Sequence, residues 1–494
     1  MKNRTTIQDT VSNVGESVTI AGWVSSRRDH GKLIFLDVRD ATGVVQVVVS
    51  GKNESAYEIA NALREEWVVT ITGEVKERPE SMRNDEIATG SIEISATGIE
   101  VLNEAQTPPF PLDTEGLDIE EELRLQYRYV DLRRARLQKN IRLRSEFVDR
   151  IRQFLFARQF TEIETPLLTK STPEGSRDFV VPSRLHKGKF FALPQSPQQY
   201  KQLLMVAGFE KYFQMARCLR DEDLRADRGF EHTQIDMEMS FVDEAEIRAL
   251  DEEMITTVFE QMGYTMKEKP FPIFTYKEAM EKYGADKFDM RTEEDKVNNV
   301  MAFAWVVDFP MFEKVEKNEG PAPHKATQDT SSPALRSPEG AQKWTFTHNP
   351  FSMPKEEYIQ DVLEGKNLEG ILAQQYDLVC NGYETGGGSI RAHKPEILRA
   401  VFGILGYTEE QIQEQFGHML EALSFGAPPH GGIAHGVERL MMIMSGEDYL
   451  REVQAFPQTS SGRTAVTDAP SELTDAQMEE LGITVVKKKG GKDE

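Results

Sequence analysis

The clearest pattern in the chain is a period-two alternation of apolar and polar residues that ends near Phe241. The apolar positions are Ile235, Met237, Met239 and Phe241, and the residues between them are Gln234, Asp236, Glu238 and Ser240. Such alternation is typical of a half-buried β-strand. The preceding run from Tyr212 to Glu222 is predicted to be its antiparallel partner, and parity then places Arg220 and Glu222 on one face.

The loop between these two strands adds both signs of charge to that face. It contains Asp223, Arg225, Asp227 and Arg228. A single Arg–x–Glu on a strand is most often a solvated ion pair. Several charges that converge on one face favour instead a site for a zwitterion beside a polyphosphate, because Arg binds phosphate or carboxylate through two hydrogen bonds and carboxylates can bind an ammonium.

Five short alternating segments precede this region, at 18–24, 32–40, 43–50, 67–75 and 90–102. Five strands separated by turns predict a small Greek-key barrel of the OB type. The inward parity of Ile34 and Leu36 places Phe35 on the outer face, where it is either an ordinary exposed apolar residue or a stacking platform for an unpaired base. In the second case Gln46 and Glu93 would contact base edges, with Arg27 and Arg28 near phosphates.

A proline-rich stretch separates the barrel from the rest of the chain. We predict a barrel domain over 1–105, a polar hinge over 106–136 and a larger domain over 137–494. Helical spacing of apolar residues predicts helices near 137–156 and 244–263. The span 314–343 is poor in apolar residues and is predicted to be a mobile loop.

Further candidate residues lie beside predicted turns and on one helical face. Glu174 is predicted in a turn, and Gln198, Lys201 and Gln202 share one face of a helix that follows the loop PQSP. Such a face is either wet surface or part of a binding site. His348 follows the predicted mobile loop.

The stretch QYDLVCNGYETGGGSIRAH predicts a second hairpin. Asn381–Gly382 is a strong signal for a two-residue turn, so Val379 should pair with Glu384, and Asp377 should share a face with Glu384. Two carboxylates together with substrate phosphates suit Mg²⁺, although an acidic edge can also be simply solvated. Gly386 to Gly388 would permit close approach of a ligand, and Arg391 lies just beyond.

The last informative stretch is a glycine-rich strand that runs into a helix. Arg439 lies in the first turns of that helix, where the helix dipole favours anions, although Arg at this position is commonly plain surface charge.

Composition narrows the class of protein. The 494 residues carry a formal net charge of −24, which disfavours non-specific coating of nucleic acid. No apolar run is long enough to span a bilayer, and the N-terminus lacks the pattern of a signal peptide, so we expect a cytoplasmic protein without membrane association. Cys218 and Cys380 fall in predicted strands and are expected to be reduced core residues.

The chain resembles the bacterial-type aspartyl-tRNA synthetases, a family of class II aminoacyl-tRNA synthetases, over nearly its whole length. The resemblance is carried by segments that include GWVSSRRDHGKLIFLDVRD, YRYVDLRR, ETPLLTKSTPEGSRDF, LPQSPQQYKQLLM, CLRDEDLRADR, TQIDMEMSF, NGYETGGGSIR and GIAHGVERL. It implies an α+β fold, with an N-terminal five-stranded OB-fold that binds the anticodon and a six- to seven-stranded antiparallel catalytic sheet flanked by helices. It also implies a homodimer, ATP and Mg²⁺, and the activation of L-aspartate followed by its transfer to the 3′ end of tRNA-Asp.

The resemblance also implies a role for each candidate residue. Arg220, Glu222 and Arg439 would be catalytic, and Asp377 and Glu384 would bind magnesium. Aspartate would contact Glu174, Ser196, Gln198, Lys201, Arg220, Asp236, His348 and Arg391. ATP would contact Arg220, Asp221, Glu222, Gly229, His232, Glu384, Gly436, Val437, Glu438 and Arg439. The anticodon would contact Arg27, Arg28, Phe35, Gln46 and Glu93.

Several features depart from the family pattern. The span 290–305 is only a short connection where the family usually has a large inserted domain, His232 replaces a usual Phe that stacks on adenine, and the usual His-His-Pro reads His348-Asn349-Pro350. His30 resembles members that charge both tRNA-Asp and tRNA-Asn, whereas Ser81 replaces the Gly usual in that group. We expect relaxed tRNA specificity on the basis of His30, although Ser81 departs from that group.

Two other functions remain open at this point. An asparaginyl-tRNA synthetase would be the nearest rival, but a neutral amide does not need both Lys201 and Arg391. A non-catalytic RNA-binding paralogue would use only the barrel, and the joint presence of Arg220, Asp377, Glu384 and Arg439 argues against it.

Overall fold

The computed structural model describes residues 4–171, 176–314 and 344–486, and the chain divides into two compact units, 1–135 and 136–494. Each unit has a hydrophobic core of its own. The predicted mobile loop 314–343 lies outside the described residues except for Lys314, and so does Glu174.

The first unit contains a closed five-stranded barrel with the strand order β1-β2-β3-β5-β4, as the alternation predicted. Its inward positions are aliphatic, and its outward positions are polar or half-buried. The elements are β1 (Ser17–His30), β2 (Leu33–Arg39), β3 (Val44–Ser50), α1 (Glu54–Ala62), β4 (Val68–Glu77) and β5 (Ile92–Asn103).

The segment predicted as a hinge contains two short helices, α2 (Glu121–Gln126) and α3 (Arg128–Asp131). The Asp131 carboxylate is fully buried and accepts hydrogen bonds from Arg128 at 2.8 Å and Arg134 at 2.7 Å. A buried charge is tolerated when it is paired in this way. Up to residue 135 this segment groups with the barrel.

The second unit is built on one eight-stranded sheet with the order β11-β12-β15-β16-β17-β10-β9-β6. Neighbouring strands are antiparallel except for the pairs β11/β12 and β6/β9 at the two edges. The expected six or seven antiparallel strands are therefore corrected to eight, because short parallel strands extend each edge. The strands are β6 (Thr161–Glu162), β7 (Val180–Pro182), β8 (Phe190–Ala192), β9 (Lys211–Leu219), β10 (Glu231–Ser240), β11 (Ile273–Thr275), β12 (Phe303–Val307), β13 (Phe312–Lys314), β14 (Trp344–Phe346), β15 (Gln375–Cys380), β16 (Tyr383–Ile390) and β17 (His430–Gly436).

Several helices pack on this sheet and bury the apolar side chains of one of its faces. Phe147, Phe259 and Leu440 pack with Ile235 and Met237 of β10 in one core. The helices are α4 (Ala135–Ala157), α5 (Gln198–Val206), α6 (Glu244–Gln261), α7 (Tyr276–Tyr283), α8 (Glu293–Val297), α9 (Ile359–Glu364), α10 (Pro395–Ile404), α11 (Glu409–Ser424), α12 (Val437–Ser445) and α13 (Asp475–Leu481). The predicted short connection 290–305 contains α8 and the start of β12.

Two details of the opening hairpin differ from the prediction. The first strand ends at Leu219, so Arg220 and Glu222 lie beyond it in the loop, although the Arg220 N–H still donates to the Phe230 carbonyl at 2.8 Å. The polar side of β10 is buried as well, whereas Phe241 follows the strand with 67% of its surface exposed. The alternation predicted the strand correctly but did not predict that its polar face is buried as well.

Candidate active site

The floor of the candidate site is a band of small residues across the centre of the sheet. Asp236 of β10, Ala434 of β17, Gly387 of β16 and Asp377 of β15 are direct neighbours in register. Opposed residues point to the same face, and three strand spacings separate the two aspartates by roughly 14 Å. A strip with acids at its ends and only Ala and Gly between them leaves room for a ligand.

One end of this floor carries a buried charge cluster made of Lys201, Asp236, Glu238 and Arg391. The Lys201 ammonium lies 2.8 Å from Asp236 and 3.4 Å from Glu238. Arg391 binds both oxygens of Glu238, at 2.9 and 3.0 Å. At most 2% of any of these four residues is exposed.

Glu238 is a site residue that the sequence interpretation missed. It has the same parity as Asp236 on β10, which was the only available signal. Burial by itself would raise the pKa of Glu238, but Arg391 and Lys201 lower it to about 2. Burial raises the pKa of Asp236 despite its ion pair with Lys201. Both predicted cations thus already have carboxylate partners within the protein.

Two polar atoms of this region have no hydrogen-bond partner. The Asp236 Oδ1 and the Gln198 amide nitrogen are buried and unpaired within the described structure. Gln198 lies one helical turn before Lys201 on α5. Because buried polar groups are nearly always hydrogen-bonded, this acceptor and this donor indicate a place where a polar ligand completes the site.

The other end of the floor carries the Asp377–Glu384 pair. The turn at Asn381–Gly382 is present as predicted, and Val379 pairs with Glu384. A bulge after Leu378 then brings Asp377 opposite Gly387. A side-chain carbon built on Gly387 would lie 3.2 Å from the Asp377 Oδ1 and 3.4 Å from the Glu384 Oε1, so the two carboxylates converge above this glycine.

The electrostatics of this pair are asymmetric. Burial and the charge of Glu384 raise the pKa of Asp377 well above its usual range, and its Oδ1 is buried without a hydrogen-bond partner. Burial would also raise the pKa of Glu384, but Lys287 and Arg439 lower it instead. His348 lies 3.7 Å from Asp377, so its direct neighbour is this pair. Lys287, 2.7 Å from Glu384, was not predicted.

The donor set suits magnesium. Among the described residues, no group of three or more His, Cys, Asp or Glu side chains is placed to hold a metal ion. Two converging carboxylates, one with an unpaired buried oxygen, match the small protein contribution that Mg²⁺ takes when substrate phosphates provide further ligands.

The three glycines of β16 have different roles. A side-chain carbon on Gly386 would lie 2.3 Å from the His435 ring, and one on Gly388 would lie 2.3 Å from the Gly432 carbonyl. Two of the three glycines therefore serve packing within the protein. Only Gly387 faces the convergent carboxylates.

Two arginines, Arg439 and Arg220, were predicted to bind phosphate. Arg439, in the first turn of α12, donates to the Glu384 carbonyl at 2.8 Å and lies 3.1 Å from Asp227. Arg220 donates to the Gln195 carbonyl at 3.3 Å. Burial lowers the pKa of His232 well below its usual range, and the charges of Arg220 and Arg439 lower it further, which places a neutral ring beside both arginines.

The remaining predicted residues lie on the loop between β9 and β10, around the start of α12, or just before α5. Glu222 lies 3.4 Å from the Ser176 hydroxyl and Asp221 lies 3.4 Å from Arg177, on the loop after β9. The Glu438 carboxylate accepts from the Thr233 N–H at 2.9 Å and pairs with Arg144, so it ties α12 to β10. Gly436 and Val437 form the junction of β17 and α12, whereas Gly229 precedes β10. Ser196 lies just before α5.

Gln195 is a second residue that the sequence interpretation missed. Its side chain accepts from the Ser176 N–H at 3.0 Å and donates to the Ser176 carbonyl at 2.8 Å. Its own carbonyl binds Arg220. Gln195 therefore connects the segment after residue 175 to Arg220.

Four of the five predicted anticodon contacts share the outer face of the barrel; they are Arg28, Phe35, Gln46 and Glu93. Phe35 is half-buried there, and its ring lies edge-on to His30 with centroids 6.1 Å apart. Gln46 donates to Glu93 at 3.3 Å, and Arg28 pairs with Asp37 at 3.0 Å. Arg27 is directed towards α1, where it donates to the Ala60 carbonyl. Ser81 lies in an exposed turn over 80–82.

Comparison with known proteins places this chain in one class. The family described as "tRNA synthetases class II (D, K and N)" matches residues 120–460, and the family described as "OB-fold nucleic acid binding domain" matches residues 18–102. The fold resembles that of an asparaginyl-tRNA synthetase from Pyrococcus horikoshii, with a TM-score of 0.70, 22% identity, and coverage of 93% of this chain and 99% of that one. An aspartyl-tRNA synthetase from Entamoeba histolytica gives a TM-score of 0.70 and 22% identity over 92% of each chain.

Curated relatives narrow the class. Aspartate–tRNA ligases from Staphylococcus saprophyticus and Staphylococcus aureus are each 38% identical over 98% of this chain and all of the relative. The chain therefore belongs to the aspartate–tRNA ligase family of class II tRNA synthetases. Each alignment spans 589 positions, whereas this chain has 494 residues, so the relatives contain residues without a counterpart here. Among the described residues, no helix has the length and apolar character to cross a membrane.

Proposed function

We propose that this chain activates L-aspartate with ATP to aspartyl-adenylate and transfers it to the 3′ end of tRNA-Asp. The observation that carries the proposal is the buried charge cluster at one end of a small-residue floor whose other end holds two converging carboxylates. The α-carboxylate of aspartate would attack the α-phosphorus of ATP, and pyrophosphate would leave with the electron pair of the broken P–O bond. Such a displacement requires positioning and charge neutralisation more than a protein nucleophile.

Aspartate would occupy the end of the floor at β10. Its ammonium would bind the unpaired oxygen of Asp236, its main chain would contact Gln198 and Ser196, and its side-chain carboxylate would approach Lys201 and Arg391. Glu174 belongs to the predicted set as well. His348 was also predicted to contact aspartate, but its neighbour is Asp377, 3.7 Å away at the other end of the floor. The unpaired buried atoms of Asp236 and Gln198 support this placement.

Hydrogen-bond polarity favours aspartate over asparagine. Lys201 and Arg391 are buried donors that are paired with Asp236 and Glu238. The side-chain carboxylate of aspartate could accept from both cations through its two oxygens, whereas the amide of asparagine would turn its NH₂ group towards one of them. A donor that faces another donor in a buried site is left without a partner, which is costly.

ATP would lie over the centre of the floor. Arg220 would bind the α-phosphate and Arg439 the γ-phosphate, and His232 would stack on the adenine in place of the usual Phe. Glu222, Asp221 and the backbone near Gly229, Gly436, Val437 and Glu438 complete the predicted nucleotide contacts. A magnesium ion held by Asp377 and Glu384 would neutralise charge on the phosphates.

The barrel would bind the anticodon. Phe35 would stack on a base, Gln46 and Glu93 would contact base edges, and Arg27 and Arg28 would lie near phosphates. His30 lies against Phe35, which supports its predicted part in discriminating tRNAs together with Ser81. We expect tRNA-Asn to be a second substrate, and charging of purified tRNA-Asn with aspartate measures this directly. The predicted cytoplasmic location follows from these partners.

We also infer a homodimer. Apolar side chains are exposed on β7, β8 and the segment before them; they are Leu167 at 50%, Leu168 at 53%, Val180 at 56% and Phe190 at 52%. The strands β7 and β8 pair, and Thr169 pairs with Ala192 of β8, so these residues lie on neighbouring segments. Exposed apolar side chains grouped in this way are typical of a protein interface. Light scattering after size exclusion should give twice the chain mass of 56.1 kDa, and Leu168→Lys should shift the protein towards the monomer.

The deciding experiment is ATP–pyrophosphate exchange with aspartate, asparagine and lysine tested in parallel. We expect exchange with aspartate only. Exchange with asparagine alone would favour an asparaginyl-tRNA synthetase, whose fold is equally similar. No exchange with any of the three would leave the non-catalytic RNA-binding paralogue.

A further inference from the structure

Lys287 is a charged residue at the candidate site that the proposed reaction does not use. Its ammonium lies 2.7 Å from the Glu384 Oε2, and about 30% of its side chain is exposed. The other oxygen of the same carboxylate, Oε1, is the one that converges with Asp377 above Gly387. One oxygen of Glu384 thus contacts Lys287, and the other faces the space between the Glu384 and Asp377 carboxylates.

The segment that carries Lys287 is fixed by its neighbours. Phe288 stacks on Tyr283 with ring centroids 4.1 Å apart, and 5% of its surface is exposed. The Phe288 carbonyl accepts from the N–H of Gly382, in the turn that joins β15 to β16. Since Phe288 anchors this segment to the hairpin, the backbone at Lys287 is held close to Glu384.

The carboxylate pair requires a positive charge nearby. Asp377 and Glu384 point at the same place, and the Asp377 Oδ1 is buried without a hydrogen-bond partner. Arg439 donates to the backbone carbonyl of Glu384, whereas the contact of Lys287 is with the carboxylate itself. Lys287 therefore supplies the direct counter-charge to Glu384.

We propose that Lys287 is the built-in counter-ion of the Asp377–Glu384 pair, and that its positive charge weakens the binding of a divalent cation there. The inference rests on the proposed function, since that function identifies the pair as the cation site. Lys287 would stabilise the cation-free protein and weaken the binding of a cation in the absence of nucleotide. A lysine that simply bound phosphate would have no such effect on the cation alone.

The test is titration with Mn²⁺ alone, without nucleotide, amino acid or tRNA, with free Mn²⁺ measured by electron paramagnetic resonance. Lys287→Met and Lys287→Gln should each bind Mn²⁺ about fivefold more tightly than wild type, which is the scale of one partly exposed ion pair. Lys287→Arg retains the charge and should stay within about twofold of wild type. Lys366→Met removes an exposed lysine that pairs with Glu364 elsewhere and should have no effect.

Equal or weaker Mn²⁺ binding by the Met and Gln variants would overturn the proposal, and so would the absence of Mn²⁺ binding by every variant. A similar gain in Lys287→Arg would also overturn it, because charge would then not be the cause. Failure of aspartate exchange by the wild type is a separate result. It would refute the proposed reaction without changing the Mn²⁺ comparison.

Discussion

The bidentate contact between Arg391 and Glu238 determines much of the chemistry at the residue scale. It joins a side chain just beyond β16 to one on β10, 153 positions apart in the chain. Two buried charges in contact are stable only while both are present, because removal of either leaves the other without a partner. Substitutions at these two positions therefore test the role of the pair in aspartate binding and its role in stability.

Arg391→Lys should impair aspartate use far more than ATP use. Lysine keeps the charge but cannot form the planar two-bond contact with a carboxylate. We expect the KM for aspartate in pyrophosphate exchange to rise about 100-fold, which is about 2.7 kcal/mol, with the KM for ATP within about threefold. Arg399→Lys, on α10, is the matched control. An equal loss for both substrates would refute the assignment of Arg391.

Glu238→Gln should destabilise the protein in a pH-dependent way. Loss of the buried charge leaves Arg391 without its partner, at a cost of about 3 kcal/mol at pH 7. Because the folded pKa of about 2 is below the ordinary value, the wild-type advantage is complete above about pH 4.3 and is lost as the pH falls towards 2.

Urea unfolding at pH 7 and pH 3.5 measures this difference. The gap between wild type and Glu238→Gln should be smaller at pH 3.5. Glu253→Gln removes one half of an exposed ion pair with Arg158 and should change the unfolding free energy by at most about 0.5 kcal/mol at pH 7. If the gap did not depend on pH, the pKa of Glu238 would not be lowered in the folded protein.

At the scale of elements, the hairpin of β15 and β16 brings the two metal-binding candidates together. The Asn381–Gly382 turn sets the register near the turn, and the bulge after Leu378 then moves Asp377 opposite Gly387. Bulges of this kind often redirect a side chain next to an active site. The close contact between Gly386 and the His435 ring holds β16 against β17 at this point.

Gly386→Ala should therefore be poorly tolerated. The added carbon would lie 2.3 Å from the His435 ring, so β16 or the ring must shift, at a cost of about 1–3 kcal/mol. Gly403→Ala is the control, because that helical glycine has open space around it and alanine there should stabilise by about 0.5–1 kcal/mol. Thermal unfolding of both variants tests the pair, and equal effects would argue against the close contact.

At the scale of the whole molecule, the two compact units divide the proposed work. The barrel carries the predicted contacts with tRNA, and the larger unit carries all of the residues proposed for adenylate formation. A net charge of −24 makes general attraction of RNA unfavourable, so tRNA binding must come from local contacts such as stacking. Damage to the barrel should thus affect the transfer step and not the activation step.

Phe35→Ala should raise the KM for tRNA about tenfold, since stacking of one base on an aromatic ring contributes about 1–3 kcal/mol. Pyrophosphate exchange without tRNA should remain within about twofold of wild type. Leu102→Ala removes an apolar residue that is 42% exposed on the same barrel and should leave both assays unchanged. A loss of exchange in Phe35→Ala would contradict this division of work.

Much of the fold could be predicted because the relevant signals are local. Alternation identified all five barrel strands, helical spacing identified α4 and α6, and Asn381–Gly382 identified the turn of the second hairpin. The end of β9 was placed three residues too late, because the charged residues after Leu219 continue the backbone pairing for one residue. The parallel edge strand β11 was missed because it is only three residues long.

The site was predictable to the extent that a residue's chemistry is visible without its partners. Asp377 and Glu384 were found from parity around a turn, and their convergence above Gly387 followed from a bulge that parity does not reveal. Lys287 and Gln195 carry no pattern of their own. Each becomes part of the site only through contacts with distant segments.

The strands, the main helices, the hairpin turn and the membership of a synthetase family can be read from the order of residues, because periodicity, turn chemistry and short motifs are local properties of a sequence. The pairing of charges cannot be read in this way, because it depends on how distant segments meet in the folded chain. Glu238 with Arg391, Asp236 with Lys201, and Glu384 with Lys287 are pairs between separate segments, and burial changes their pKa values only once the sheet has brought those segments together.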